Sequence, residues 1–262
     1  MRLNFRDDHV DRVRGLNVTL WAPAGDGYGA RRVEGISVGV SPAAERLLGV
    51  NLGIAAVVAE REAAGINLGG LAVVSNDDLR GFNLGGLATV ANGSATGIAL
   101  GGLAVVANGE LRGIGISGLA TVANRSATGL LFGGLATVSD GPLHGIVLSG
   151  LATVGGSVRG ITLSGLATVG SEAVTGFPVA GLAVVAGSSI TGAAFTIGRT
   201  DAQELRGLAV AAYNRVRHDQ RGLTIGVYNR ARALHGLQIG VLNHAENAHG
   251  IFRWMPIANF HH

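Results

Sequence analysis

The chain has 262 residues, 47% of them hydrophobic and 44 of them glycine, and its formal net charge is +3. This composition is too apolar for a disordered chain, and glycine lacks the three-residue period of collagen. The 20 basic residues, all arginine, are balanced by 17 acidic residues, so no nucleic-acid partner is expected. The sequence has no cysteine, which excludes disulfides and thiolate metal sites.

The first 34 residues differ from the rest of the chain. Met1 is followed by polar residues, so no apolar core of a signal peptide is visible. Trp21, Pro23 and Tyr28 fall in this segment, which lacks the regular glycine spacing that follows it. Because an atypical segment normally covers the open end of a stacked-repeat protein, residues 1–34 are predicted to form an N-terminal cap.

A ladder of sixteen glycines extends along the chain. After a first interval of 20 residues they recur every 14–16 residues, and such a short period is typical of stacked repeats. The ladder glycines are Gly15, Gly35, Gly49, Gly65, Gly81, Gly97, Gly113, Gly129, Gly145, Gly160, Gly176, Gly192, Gly207, Gly222, Gly236 and Gly250. The spacing predicts an all-β fold, a parallel β-solenoid of about 15 coils over residues 35–250, with a C-terminal cap over 251–262.

One repeat shows how a coil is expected to fold. Ile98 and Leu100 alternate around Ala99, as in a β-strand, and a Gly-Gly pair separates this strand from a second apolar run. Parallel stacking is expected to place the repeated large apolar residues in interior columns. One predicted interior column contains Leu84, Leu100, Ile116, Phe132, Leu148, Leu163 and Val179, and the other contains Leu71, Leu87, Leu103, Leu119, Leu135, Leu151, Leu166 and Leu182.

Two alternatives to the solenoid arise from the same repeats. Residues alternate between neighbouring units, as at Val73 and Thr89, which is compatible with an antiparallel meander that closes into a barrel. Residues 173–198 carry no charge and are long enough for a transmembrane helix. Because they keep the glycine spacing, contain Pro178 and are rich in β-branched residues, no transmembrane helix is predicted.

Two polar columns are expected at the corners of the coils. The residue before each ladder glycine is arginine, threonine or histidine through most of the repeats, which predicts a solvated edge. A recurring asparagine is predicted to form a hydrogen-bonded ladder. Its members are Asn76, Asn92, Asn108, Asn124, Asn214, Asn229 and Asn243.

No set of residues indicates a reaction. The acidic residues lie at corners or caps, so we predict no catalytic, cofactor-binding or metal site and no enzymatic activity. Histidines near the C-terminus, such as His235 and His249, are interpreted as surface residues. An alternative function remains open, a β-helix that binds ice or carbohydrate or acts as an enzyme. Regular threonines motivate its ice-binding form: Thr89, Thr121, Thr137, Thr153 and Thr168.

A docking surface is predicted instead. Leu131, Val147 and Pro178 occupy equivalent positions and are expected to form an exposed apolar strip, which usually marks a contact surface. Arginines at successive corners suit an acidic partner or lipid head groups. The predicted anchors are Arg215, Arg217, Arg230, Arg232 and Trp254. The expected partner is another protein, which includes a membrane-bound assembly or further copies of this chain.

The last third of the chain repeats a Gly-Leu-x-Ile-Gly-Val-x-Asn motif at 222–229 and 236–243, and ends in Pro-Ile-Ala-Asn-Phe at 256–260. This pattern resembles bacterial surface repeat-containing proteins, over residues 207–260 and also from Arg14 to Trp21. The resemblance implies an extended bacterial β-repeat protein without catalytic residues. We therefore expect a non-enzymatic structural scaffold at the bacterial cell envelope or the membrane periphery.

Overall fold

The computed structural model describes residues 2–6, 10–21 and 29–261 and is built from β-strands. About 80% of the chain is strand, and the one helical element among the described residues is a 3-10 turn at Gly250–Arg253. Two compact units are present, unit 1 (Met1–Gly133) and unit 2 (Gly134–His262).

The strands are short and follow one another closely. In unit 1 they are β1 (Arg2–Arg6), β2 (Val10–Trp21), β3 (Ala30–Gly39), β4 (Ala43–Gly53), β5 (Ala56–Gly69), β6 (Ala72–Ser75), β7 (Asp78–Gly85), β8 (Ala88–Ala91), β9 (Ala95–Gly101), β10 (Ala104–Ala107), β11 (Glu110–Ser117), β12 (Ala120–Ala123) and β13 (Ser126–Gly133). In unit 2 they are β14 (Ala136–Ser139), β15 (Leu143–Ser149), β16 (Ala152–Ser164), β17 (Ala167–Ala180), β18 (Ala183–Ala186), β19 (Ser189–Thr196), β20 (Arg199–Ala202), β21 (Glu204–Val210), β22 (Tyr213–Ala245) and β23 (Trp254–His261).

Successive coils pair in parallel, with each ladder glycine beside the next. In unit 1, β11 pairs with β9 and with β13, so that Gly97, Gly113 and Gly129 lie side by side. In unit 2, β17 pairs with β16 and β19 in the same way. The predicted parallel β-solenoid is confirmed and the antiparallel meander is wrong, although the coils number about 13 rather than 15.

The ladder glycines are required by the backbone geometry of the corner. Gly97 has a φ of 111° and Gly113 a φ of 116°, values that residues with a side chain rarely adopt. A side chain on Gly113 would also collide with the carbonyl oxygen of Gly97 in the preceding coil. The corner therefore needs a glycine in each coil, which explains the period in the sequence.

The two chain ends continue the stacking differently. At the N-terminus β2, within the predicted cap 1–34, pairs in parallel with β3 and places Gly15 beside Gly35. Pro23 and Tyr28 lie outside the described residues, as does the side chain of Trp21. At the C-terminus β23 pairs antiparallel with β22, from His244–Trp254 to Gly236–His261. This strand covers the edge of the last coil.

In each unit the side chains that were predicted to face inward face outward, and the alternate side chains form the interior. Leu103 and Ile116, expected inside, are 46% and 39% exposed, whereas the intervening Gly115 points inward. A Cβ atom on Gly115 would lie 3.3 Å from the side chain of Leu131 and 2.9 Å from that of Leu111. The predicted interior columns are wrong because the coil is too narrow to hold a large side chain at every inward position.

Mostly small apolar residues form the actual core. The residue two before the ladder glycine is buried in each coil, and in most coils it is leucine, isoleucine or valine. The buried apolar members of this column are Val13, Val33, Leu47, Ala63, Leu79, Ala95, Leu111 and Ala127 in unit 1, and Leu143, Val158, Val174, Ile190, Leu205, Leu234 and Ala248 in unit 2; Gln220 takes the position in one coil of unit 2.

Buried polar side chains pair along the stack within this core. In unit 1 the Asn51 amide donates to Asn67 at 2.6 Å, and the Asn67 amide donates to Asn83 at 2.7 Å. The Thr121 hydroxyl donates to the Phe132 carbonyl oxygen at 2.8 Å. Such pairing offsets the cost of removing polar groups from water. The regular threonines are buried and cannot contact ice, so the ice-binding alternative loses its basis.

The predicted asparagine ladder consists of two separate ladders. At an exposed corner of unit 1, Asn108 donates to Asn92 at 3.0 Å. In unit 2 the asparagines are interior: Asn214 donates to Asn229 at 2.8 Å, and Asn229 donates to Asn243 at 2.7 Å. The hydrogen-bonded ladder is confirmed, but the assignment of all seven asparagines to one column is wrong.

Candidate functional site

The large apolar residues of the repeats form the outside of the molecule. We call side A the outer surface formed by the residues that follow each ladder glycine within its strand. Side B is the outer surface of the four-residue strands such as β10. The leucines between the two sides form the leucine edge. Between Gly49 and Gly129 every outward side chain of sides A and B is apolar. The leucine edge contains Leu71, Leu87, Leu103 and Leu119 in unit 1, and Leu135, Leu151, Leu166 and Leu182 in unit 2.

The backbone beneath the leucine edge has its hydrogen bonds satisfied. The amide of Leu103 donates to the carbonyl oxygen of Leu87 at 2.7 Å, and the amide of Ala104 donates to the same oxygen at 3.1 Å. The amide of Gly102 donates to Gly85 at 3.3 Å. Because these bonds run from coil to coil, the surface of sides A and B presents apolar side chains with few free polar groups.

The third side of each coil is polar, as predicted for the residues before the ladder glycines. Arg112 pairs with Glu110 at 2.5 Å in unit 1, and Arg206 pairs with Glu204 at 2.9 Å in unit 2. Arg80 contacts both Asp78 and Glu62, at 3.1 and 3.0 Å. Between Gly49 and Gly129 unit 1 is therefore amphipathic around its circumference, with two apolar sides and one charged, solvated side. In unit 2 side B becomes polar towards the C-terminus, where Arg199 and then Tyr213 take the position of Ala183.

The predicted apolar strip lies inside the protein. Leu131 and Val147 are both fully buried, and Pro178 is buried as well. Leu131 occupies the interior because the coil before it has Gly115 at the same position, which leaves space for a large side chain. These three residues cannot contact a partner, and their proposed role as an exposed docking strip is wrong. The exposed apolar surface exists, but in the opposite phase.

Four of the predicted arginine anchors meet at one cavity in unit 2. A cavity of about 160 Å³ is lined by Arg215, Val216, Arg217, Arg230, Arg232 and Glu246. We call it the arginine cavity. Arg217 donates to Asp201 at 2.9 Å and Arg230 donates to Glu246 at 3.0 Å. The hydrogen bond from Arg230 lowers the pKa of Glu246 below its usual value.

The fifth anchor, Trp254, belongs to an aromatic stack on β22 and β23. Tyr213 and Tyr228 stack with ring centroids 5.3 Å apart, and Tyr228 and Trp254 stack at 6.3 Å. The Trp254 ring also stacks on the His244 ring, with the ring centroids 4.1 Å apart. Trp254 remains 50% exposed, so the sequence prediction placed it correctly on the surface.

The sequence contains a signal for the exposed leucines, although their pattern predicted an interior position. A leucine follows a Gly-Gly, Ser-Gly or Ala-Gly pair once in each repeat from Leu71 to Leu182, whereas the inward positions change between asparagine, alanine, glycine, leucine and threonine. The inward column varies in size and polarity, as Asn83, Ala99 and Gly115 show. Such variation is typical of a core in which a small residue in one coil leaves space for a larger residue in the next. The sequence also did not predict that Asp201 and Glu246 balance part of the arginine charge.

Acidification is expected to weaken the C-terminal edge through His244. Burial lowers the pKa of His244 below its usual 6.5, and the charge of Arg230 lowers it further. The unfolded chain therefore binds the proton more readily, so stability is lost as the pH falls below about 6.5. In a Trp21→Phe background, the urea midpoint followed by Trp254 fluorescence should be lower at pH 5.5 than at pH 7.5. His244→Phe should reduce this difference; an unchanged difference would contradict the assignment.

Comparisons with other proteins supply no relative. The chain matches no protein-family model, no curated protein and no solved structure. No helix among the described residues is long and apolar enough to cross a membrane. Within the same residues, no group of three or more histidines and carboxylates is positioned to hold a metal ion.

Proposed function

We propose that this chain is a non-enzymatic structural repeat protein that lies on a lipid surface, with sides A and B and the leucine edge in contact with the acyl region. The apolar exterior of unit 1, uninterrupted on sides A and B between Gly49 and Gly129, carries the proposal. The proposed setting is the bacterial cell envelope or the membrane periphery, in keeping with the resemblance to surface repeat-containing proteins. A structural role is also supported by several carboxylates of the polar side that are engaged in ion pairs, such as Glu110–Arg112 and Glu62–Arg80.

The size of the apolar exterior supports this proposal. A four-residue strand is about 13 Å long and each coil adds about 4.8 Å, so sides A and B of the five coils between Gly49 and Gly129 together present roughly 600 Å². The largest apolar patch of an ordinary soluble monomer is about 300–600 Å². Sides A and B of unit 1 alone reach the upper end of this range, and the leucine edge adds to them, which favours a surface that is covered when the protein functions.

The chemistry of the exterior favours lipid over a protein partner. A protein interface normally contains about one hydrogen bond per 100–200 Å², together with polar groups that set its orientation. Sides A and B offer no polar side chain for such bonds between Gly49 and Gly129. Acyl chains require only apolar contact, and the charged third side meets water, as in an amphipathic helix that lies in a membrane interface.

An apolar groove in unit 1 adds a local feature of the same kind. It has a volume of about 270 Å³ and is lined by Val38, Leu52, Gly53, Ile54, Leu68, Gly69, Gly70 and Leu84. The glycines leave a depression, and Ile54 beside it is 77% exposed. An acyl chain is the type of ligand that such a shallow, apolar groove accommodates.

Flotation with vesicles of neutral phosphatidylcholine tests the proposal. The wild-type protein should float with the vesicles, and the triple variant Leu87→Gln/Leu103→Gln/Leu119→Gln should bind at least tenfold more weakly. The matched control places glutamines on the polar side, at Thr96, Arg112 and Thr128, and should bind as the wild type does. Circular dichroism checks that all three proteins keep their strands.

Two outcomes would overturn the lipid assignment. If the wild type does not float but forms oligomers that the leucine triple variant dissociates, the exterior binds further copies of the chain. If the wild type neither floats nor associates, the exterior is not a docking surface under these conditions and the proposed function is wrong. Equal loss of binding in the leucine variant and in the polar-side control would also count against it.

A further inference from the structure

The four arginines of the arginine cavity are arranged as two pairs on neighbouring coils of unit 2. The hydrogen bond from Asn214 to Asn229 and the stacking of Tyr213 on Tyr228 set the register between the coils. As a result the side chains 15 residues apart lie next to each other: Arg215 beside Arg230, and Arg217 beside Arg232. Strand spacing places such neighbours about 4.8 Å apart at their backbones.

The cavity carries more positive charge than its carboxylates neutralise. Four guanidinium groups face two carboxylates, Asp201 and Glu246, which leaves a net charge of 4 − 2 = +2. Arg215 reaches Asp201 only at 4.0 Å. In the part of the chain that the structure describes, Arg232 has no carboxylate within 4.0 Å. Arg215 and Arg232 therefore have the weakest carboxylate contacts of the four, although the charge of Arg232 contributes to lowering the pKa of Glu246.

Like charges on neighbouring strands repel each other, and such pairs are normally destabilising. An anion between the two pairs would remove this repulsion. Guanidinium groups present a planar fork of donors that matches the oxygens of phosphate. A volume of about 160 Å³ is roughly that of five water molecules in the liquid, which gives room for a phosphate group.

We propose that the arginine cavity binds a phosphate group, with Arg215 and Arg232 as the principal donors and Arg217 and Arg230 held in place by their carboxylates. Tyr213 and Tyr228, on the same outward face of β22, lie next to the group to which the phosphate is attached. Free phosphate esters and phospholipid head groups share this chemistry. The inference rests on the cavity alone and does not depend on lipid contact by sides A and B.

A second arginine-rich cleft in unit 1 provides a matched comparison. It is lined by Asp11, Arg31, Arg32, Glu45, Arg46 and Arg61, again four arginines and two carboxylates. Two of its arginines are more exposed: the Arg31 and Arg61 side chains are 72% and 59% exposed, against 46% for Arg215. Better solvated charges bind an anion more weakly, so this cleft is expected to contribute little.

Calorimetric titration with inorganic phosphate at low ionic strength tests the site. The wild type should show saturable binding, and Arg215→Gln/Arg232→Gln should weaken it at least tenfold. Arg31→Gln/Arg61→Gln makes the same change in net charge and should leave the affinity unchanged. Arg215→Lys/Arg232→Lys keeps the charge but removes the forks, and should give an intermediate affinity. All four side chains are at the surface, and circular dichroism confirms that the variants fold.

The source of the phosphate is distinguished with vesicles. Vesicles of phosphatidylcholine with added phosphatidic acid should bind more protein than phosphatidylcholine alone if the ligand is a head group, and Arg215→Gln/Arg232→Gln should abolish only this excess. Saturable binding of inorganic phosphate without an excess on phosphatidic acid would assign a soluble phosphorylated ligand. No saturable binding of either, or equal weakening by the two glutamine variants, would overturn the proposal.

Discussion

Replacing Gly97 with alanine is expected to lower the free energy of unfolding by about 3 kcal/mol or more. The φ of 111° at this position costs a residue with a side chain about 1–3 kcal/mol. In addition, the new methyl group would collide with the carbonyl oxygen of Gly81 in the preceding coil. That oxygen belongs to the parallel stack, so it cannot move without breaking bonds between coils; such overpacking costs about 1–3 kcal/mol more.

Gly15→Ala separates the two causes. Gly15 has a similar φ of 96°, but a Cβ atom there would meet no atom of the described residues within 4 Å. It should therefore lose only the conformational contribution, about 1–3 kcal/mol. Urea midpoints of the two variants measure the difference. If Gly15→Ala and Gly97→Ala lose the same stability, contact with the preceding coil is not what the ladder glycines avoid.

Leu111→Ala is expected to destabilise the protein by about 2–5 kcal/mol, whereas Leu103→Ala should cost no more than about 1 kcal/mol. Both are leucines of the same repeat. Leu111 is 1% exposed and fills the core, so its truncation leaves a cavity. Leu103 is 46% exposed on the leucine edge and already contacts water.

Chemical denaturation of both variants tests directly which of the two leucine positions faces the interior of the coil. Equal or reversed losses would mean that the leucine edge is interior, as the sequence pattern had predicted, and would remove the basis for contact with lipid. Leu103→Ala can also be included in the vesicle experiments, because it changes the apolar exterior while leaving the core intact. A loss of lipid binding in this variant would therefore not be due to unfolding.

The contrast between these two leucines explains why the phase could not be predicted. Alternation within a strand shows that neighbouring residues face opposite sides, but it does not show which side is inside. Large apolar residues are usually assigned to the core, yet apolar atoms also make up much of an ordinary protein surface. Here the coil of about 16 residues encloses too little volume for two large columns, so Asn67, Thr121 and Ala99 are the inward residues.

The arginine cavity was predictable only in part. The spacing of 15 residues between Arg215 and Arg230 placed them on successive coils, and both lie there. The partial neutralisation by Asp201 and Glu246 depends on side chains that reach across the turns. Sequence spacing gives the neighbours of a residue along the stack, but not the direction in which a flexible side chain extends.

The sequence by itself determined the repeat length and the glycine at each corner, because a constant short period is typical of stacked coils. It favoured parallel stacking but left the antiparallel meander open, which the parallel strand pairing excludes. The resemblance to surface repeat-containing proteins stays a prediction. Only the tertiary structure decided which of the two alternating sets of side chains faces inward. The physical reason is volume: the space between the strands of a short coil is set by the closed backbone, and the side chains that fit it, such as Asn67 and Ala99, become the core, while Leu103 and its equivalents remain outside.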